Sequence, residues 1–227
     1  MSEWRLRRAA RRIAFALLAL TATVAAATSL AAAAPQTTIE SFYSVLLSTM
    51  KNGPTLGVMG RYQQIAPEIK RSFDISYMAH MAVGAAWSTL SDEEKQRVSE
   101  AFGRYIAATY ADNFDSYSGE KFEVTGQQTT PYGTIVESRI VKSDGEPVAM
   151  NYLMRQNNGE WLVTDIYLTG TISQVATLRS QFSSVLASDG VAGLITALNR
   201  KSQTLTASPA SFAGPRTCPP RRAPSAC

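Results

Sequence analysis

The sequence predicts an α+β domain in which helices from both ends of the chain wrap a curved, four-stranded antiparallel sheet. Three observations predict it. The apolar period is three to four residues up to about Phe114, shortens to two from Lys121, and lengthens again after Thr171. The strand-like segments are joined by Pro131-Tyr132-Gly133, Ser143-Asp144-Gly145 and Asn157-Asn158-Gly159, connections short enough only for antiparallel neighbours. At 227 residues, 45% apolar and 18% charged, the chain has the composition of a protein with one ordinary core.

Arg5, Arg7, Arg8, Arg11 and Arg12 precede an apolar run from Ile13 to about Ala27 and the small residues Ala31 to Ala34. That order is a secretory signal peptide, with cleavage expected after Ala33, so residues 1–33 are read as the leader and 34–207 as one domain. The formal charge of +4 belongs to the leader: the chain from Ala34 carries 17 basic and 17 acidic residues. A neutral body without a basic patch interleaved with aromatics disfavours a nucleic-acid partner.

Thr38 to Lys51 places Ile39, Phe42, Tyr43, Leu46, Leu47 and Met50 at helical spacing and stops at Asn52-Gly53-Pro54. Thr55 to about Gln64 is a second helix, and Pro67 is expected to open a separate short turn through Phe73. Asp74 caps a helix to about Trp87 whose apolar stripe is Ile75, Met78, Ala79, Ala82 and Val83. Ser91-Asp92-Glu93-Glu94 is a capping box that opens the longest helix, to about Phe114.

The strands are Lys121 to Thr125, Thr134 to Lys142, Pro147 to Arg155 and Glu160 to Thr169. Val136, Ser138 and Ile140 share a face, as do Val148, Met150, Tyr152 and Met154. Trp161, Val163, Asp165 and Tyr167 alternate with Leu162, Thr164, Ile166 and Leu168, so both faces of the last strand read apolar and it is expected to be central. Helices return over Thr171 to Ala187 and Val191 to Lys201, separated by Ser188-Asp189-Gly190. Ser208 to Cys227, rich in Pro, Arg and Ser and lacking periodicity, is expected to be a disordered tail. It holds both cysteines, Cys218 and Cys227, whose pairing the sequence leaves open.

Chemistry-bearing motifs are few. His80 is the single histidine, which leaves no zinc site and no triad, and no phosphate loop, dinucleotide fingerprint or nucleophile elbow is present. No metal, cofactor or catalytic residue is expected. Asp165, flanked by apolar residues, needs a partner if buried, and Arg179 on the following helix is the expected one, forming a structural pair. The alternative is a small enzyme of lipid or isoprenoid metabolism with Asp165 as its buried acid.

More distinctive is the soft apolar material: Met78, Met81, Met150, Met154, Tyr105, Tyr110, Tyr152, Trp161 and Tyr167, a set suited either to a core or to an adaptable cavity. The order of Phe73-Asp74-Ile75, Gly84-Ala85-Ala86-Trp87, the capping box at Ser91, Gly159-Glu160-Trp161-Leu162-Val163-Thr164-Asp165-Ile166 and Thr177-Leu178-Arg179-Ser180-Gln181-Phe182 resembles the MlaC family of toluene-tolerance, or periplasmic lipid-binding, proteins over about Thr38 to Lys201. Asp165 to Gln174 is most similar to the HpnM branch, associated with hopanoid biosynthesis. The resemblance implies an NTF2-like lipid-binding fold and a periplasmic, non-enzymatic carrier. Its cargo would be a hopanoid or phospholipid, moved as a monomer between inner- and outer-membrane transport proteins. On that footing Met78, Met81, Tyr105, Val136, Met150, Tyr152, Trp161 and Ile166 are the expected lipid-binding residues, and Met150→Arg or Tyr152→Asp is expected to abolish lipid binding without loss of helicity.

Overall fold

The computed structural model describes residues 34–207. The expected leader (1–33) and the expected tail (208–227), with its two cysteines, lie outside the described residues. Within them the chain is α+β: α1 (Pro35–Lys51), α2 (Gly53–Ser72), α3 (Ile75–Val83), a 3-10 segment (Gly84–Thr89), α4 (Asp92–Asn113), strands β1 (Lys121–Thr130), β2 (Gly133–Val141), β3 (Pro147–Asn157), β4 (Glu160–Leu168) and β5 (Ile172–Ser173), then α5 (Gln174–Ala207).

Local chemistry sets most boundaries. Pro35 takes the first turn of α1, where its missing N–H costs nothing. The Asp74 carboxylate accepts from the Tyr77 N–H at 3.0 Å and caps α3. Val83 ends α3, earlier than the expected Trp87, because Gly84 takes φ +69°, a left-handed value that stops a helix. The capping box is formed: Ser91 Oγ accepts from the Glu94 N–H at 3.2 Å while the Glu94 carboxylate accepts from the Ser91 N–H at 2.9 Å. Ser91→Ala is expected to lower stability by about 1 kcal/mol, measured by urea unfolding, because one N–H of the first turn loses its acceptor.

Pro67 does not open a new element. It lies inside α2 on an exposed face, where the Gln63 carbonyl it cannot bond is open to water. The break falls instead at Gly57, with φ +60°. Gly190 breaks α5 in the same way at φ +62°, which is where the sequence places a helix boundary.

The sheet runs in the order β1-β2-β3-β4-β5, entirely antiparallel. β4 is not central, as its composition suggests. Its outer edge carries only the two-residue β5, opposite Tyr167 and Leu168, and a bridge in which the Asp74 N–H donates to the Val163 carbonyl at 2.9 Å. The reason is a register shift: Leu153 faces Asp165 but Met154 faces Val163, so β4 holds one extra residue at Thr164. That bulge reverses the alternation, placing Trp161, Val163, Ile166 and Leu168 together against the core and Asp165 and Tyr167 away from it.

The core lies between the inner sheet face and α1 to α5. It joins Ile39, Phe42, Tyr43 and Leu46 of α1 to Val136 of β2, Tyr152 and Met154 of β3, and Leu178 and Phe182 of α5.

Candidate functional site

Among the described residues three regions could hold a ligand: the interior between sheet and helices, a pocket on the opposite sheet face, and a groove between α4 and the end of α5. The interior is aromatic. Phe42 packs edge-on against Phe73 at 5.2 Å, Tyr110 at 5.3 Å and Tyr152 at 6.3 Å, and Tyr43 reaches Phe122 at 4.9 Å and Tyr152 at 5.8 Å. Hydroxyls converge within this apolar volume. Ser138 Oγ donates to the Met150 carbonyl, which leaves the Tyr43 hydroxyl to donate to Ser138 Oγ at 2.6 Å. The Tyr152 hydroxyl donates towards Met150 Sδ at 3.0 Å and lies within reach of Tyr43 and Tyr110. No buried side-chain N or O among the described residues is left without a partner.

The outer pocket, of about 340 Å³, lies where α3, the β1–β2 turn, β3, β4 and the start of α5 meet. Its floor is Leu153, Val175 and Met81, and its polar rim is Tyr77, Tyr132, Arg155, Asp165 and Tyr167. A shallow groove of about 460 Å³ runs between α4 and the end of α5, lined by Tyr105, Ala197, Arg200 and Leu205.

The expected pair of Asp165 and Arg179 is not formed. Asp165 accepts from the Ser173 hydroxyl at 2.5 Å, the Val175 N–H at 3.1 Å and the Ile166 N–H at 2.7 Å, so the carboxylate ties β4 to the first turn of α5. Arg179 stands further along that helix, exposed, with its guanidinium against Gly84. The three donors give Asp165 a structural task that needs no cationic partner.

The family model described as MlaC protein matches residues 40–200. The chain belongs to the MlaC family. It is 23% identical over 132 residues to the intermembrane phospholipid transport system binding protein MlaC of Haemophilus influenzae, an alignment covering 56% of this chain and 61% of that protein. A solved structure, the phospholipid-binding protein of Ralstonia solanacearum in complex with a phospholipid, superposes with a TM-score of 0.67 at 24% identity, covering 76% of this chain and 99% of that one. That likeness is one of fold.

Against this MlaC frame, the eight residues expected to bind lipid divide. Met78, Val136, Tyr152 and Ile166 are buried in one core, and Met150 and Trp161 are half-buried against it. Val136 and Tyr152 have 0% of their surface exposed and Met78 1%, so none of the three borders a space large enough for a water. Around these three residues the interior is occupied by the protein's own side chains. Met81 and Tyr105 stand apart. Met81 falls off the stripe Met78, Ala79, Ala82 and Val83 and, 39% exposed, lines the outer pocket. Tyr105 lines the groove, with Lys201 Nζ 5.7 Å from its ring centre.

Sequence reasoning grouped Tyr110 with the soft apolar set but missed Phe42, Tyr43, Phe73 and Phe122 as its partners. It also missed Tyr77, Tyr132 and Arg155. The available signal was the outward face of β3 and β4, where Leu153 and Tyr167 are larger and more apolar than a solvated face requires.

Burial makes the interior hydroxyls hard to ionise. It pushes Tyr43 up to about 12 from 10.0, against the lowering hydrogen bonds from Ser138 and Tyr152, and raises Tyr110 and Tyr152 as well. The native state therefore keeps protons that the unfolded chain releases near pH 10.0. Their contribution to stability is whole below that pH and is lost as pH rises towards about 12, at about 1.4 kcal/mol per pH unit for each group. Tyrosinate absorbance is expected to rise in two phases, the second coinciding with loss of helical circular dichroism. Tyr43→Phe should move that second phase to higher pH.

Proposed function

We propose that this chain is a non-enzymatic carrier, exported to the periplasm by the leader at residues 1–33. It takes a membrane lipid, a phospholipid or hopanoid, between its curved sheet and its helices and passes it between membrane partners. The observation that carries this reading is the character of the interior: tyrosine and methionine side chains whose polar atoms satisfy one another, under a helical layer broken at glycines. Gly57 and Gly190 have no atom within 4 Å of where a Cβ would stand, so backbone conformation alone calls for glycine at those breaks.

Family membership supports the reading, as do the printed names of the relatives. The physics supports it too. A lipid chain resists leaving a bilayer by about 0.8 kcal/mol for each methylene exposed, and a carrier must replace that burial without covalent chemistry. A filled interior is compatible with the task if the helices part as the chains enter, since methionine repacks at little cost and side chains return to the core on release. Met78, Val136, Met150, Tyr152, Trp161 and Ile166 would then line the opened space, with Met81 near its rim.

The test is transfer of a fluorescent phospholipid from donor to acceptor vesicles by the purified chain without its leader. The expected rate rises in proportion to protein added. A rate no faster than spontaneous exchange at every protein concentration would end the proposal.

A further inference from the structure

We propose that the face formed by the last turns of α5 and the adjoining part of α4 docks this protein on an anionic membrane surface, through a basic rim around an apolar groove. This deepens the carrier reading and rests on it for the reason an exported chain meets a bilayer. The lipid here is a surface and not a cargo.

Charge is divided unevenly along the chain. From Val191 onward the sequence carries Arg200, Lys201, Arg216, Arg221 and Arg222 and no acid, whereas residues 34–190 carry 12 basic and 17 acidic residues. The neutral total therefore hides a cationic end on an anionic body. Arg200 and Lys201 both line the groove, and among the described residues neither belongs to an ion pair. Beside them Arg104 of α4 donates to Asn199 Oδ1 of α5 from Nε at 3.3 Å and from Nη2 at 3.1 Å, which fixes a third cation at the same junction. Glu100, 3.9 Å from Arg104 Nη1, offsets one of these charges.

The groove supplies the apolar half of the contact. Ala197, Arg200, Lys201, Thr204 and Leu205 recur at three- and four-residue spacing and share one side of α5, beside the buried stripe of Leu194, Leu198 and Ser202. Tyr105 of α4 forms the other wall, and Lys201 Nζ stands over its ring, 5.7 Å from the centre. A charged head above an amphipathic ring suits the headgroup level of a bilayer. The helix as a whole carries more apolar surface than the fold covers. By length and composition α5 is apolar enough to cross a membrane, yet only 22% of its most apolar stretch is buried. Bent at Gly190 and packed along α4, it presents that surface sideways, as an interfacial helix does.

A protein partner calls for a shaped pocket that takes anchoring side chains. This groove is shallow, and three of the five cationic residues lie beyond Ala207 in a proline-rich sequence. Charge spread over that length of chain matches a surface of repeated anions.

The experiment sediments the leaderless chain with vesicles of phosphatidylcholine alone and with vesicles of equal phosphatidylcholine and phosphatidylglycerol, at low and at physiological salt. Partitioning onto the anionic vesicles is expected to exceed that onto the neutral ones by at least about a hundredfold and to fall as salt rises, since each basic residue near such a surface contributes about fivefold. Arg200→Gln and Lys201→Gln should each weaken it about fivefold with circular dichroism unchanged, both side chains being exposed. Arg139→Gln removes the same charge from the outer face of the sheet and should weaken it less than about twofold. Equal partitioning onto both vesicle types, no sedimentation with either, or a loss in Arg139→Gln as large as in Arg200→Gln overturns the docking face. A parallel arm adds soluble polyglutamate at a charge equal to that of the vesicles: most of the protein should stay on the vesicles, and full displacement would assign the face to an acidic protein and overturn the proposal. Transfer of a fluorescent phospholipid, read on the same samples, keeps the two readings apart. Transfer without docking leaves the carrier standing and removes the docking face, whereas docking without transfer defeats the carrier and leaves the surface assignment.

Discussion

Tyr152→Asp is expected to prevent folding, and Tyr152→Phe to leave the fold intact. Tyr152 has no exposed surface and lies between Phe42, Tyr43 and Val136 at the centre of the core. Removing its ring forfeits about 3–5 kcal/mol of packing, and a carboxylate there adds several kcal/mol of desolvation with no cation to meet it. A domain with about 5–15 kcal/mol of stability does not survive both. Far-ultraviolet circular dichroism should show the aspartate variant unfolded, whereas Tyr152→Phe, which loses the hydroxyl contact to Met150, should cost about 1–2 kcal/mol. The expectation from sequence that Tyr152→Asp would remove lipid and spare helicity is corrected by this burial. Met150→Arg, at a half-buried site, is the better variant for testing cargo binding.

Arg61→Met is expected to lower stability by about 2–4 kcal/mol, although the replacement keeps most of the side chain's volume. Arg61 is buried, and its Nε donates to the Ala111 carbonyl at 2.8 Å while Nη1 donates to the Gly53 carbonyl at 3.2 Å. Ala111 is in the last turn of α4, where carbonyls have no partner in the helix, so the guanidinium caps α4 and ties it to the start of α2. Burial lowers its pKa, and the charges of Asp115 and Asp112 act in the opposite sense. Gly53 is part of the same junction, since a Cβ there would overlap the Asp115 carbonyl. Thermal unfolding should move down by about 5–15 °C in Arg61→Met, on the scale of about 2–4 °C per kcal/mol for a domain of this size. An unchanged melting temperature would mean that the two carbonyls find other donors.

What could be read in the sequence was whatever one segment decides alone. Ser91 and Glu94 sit three residues apart and satisfy each other, so their helix start is legible with no tertiary knowledge. Strands β1 to β4, their order and the boundary at Gly190 follow similarly from period and turn chemistry, whereas β5 falls where the sequence places the start of a helix. Features that need two segments were hidden. The extra residue at Thr164 is fixed by the register of β3, and without it Trp161 and Ile166 fall on opposite faces and β4 looks central. Asp165 finds its donors on β5 and α5, and only the tight turn at Thr169-Gly170 brings Ser173 close enough to displace Arg179 as its partner. Residue type marked Met78, Val136, Tyr152 and Ile166 as apolar and adaptable, but whether such side chains line a space or fill it depends on how far apart sheet and helices stand.

The account depends on that filled interior opening around a lipid. Native mass spectrometry of the chain purified from cells that secrete it tests this most directly. The expected spectrum shows the mature polypeptide carrying one discrete added mass of several hundred daltons, about that of a single membrane lipid, lost after extraction with organic solvent. The bare polypeptide mass alone, both as purified and after incubation with lipid vesicles, would contradict it.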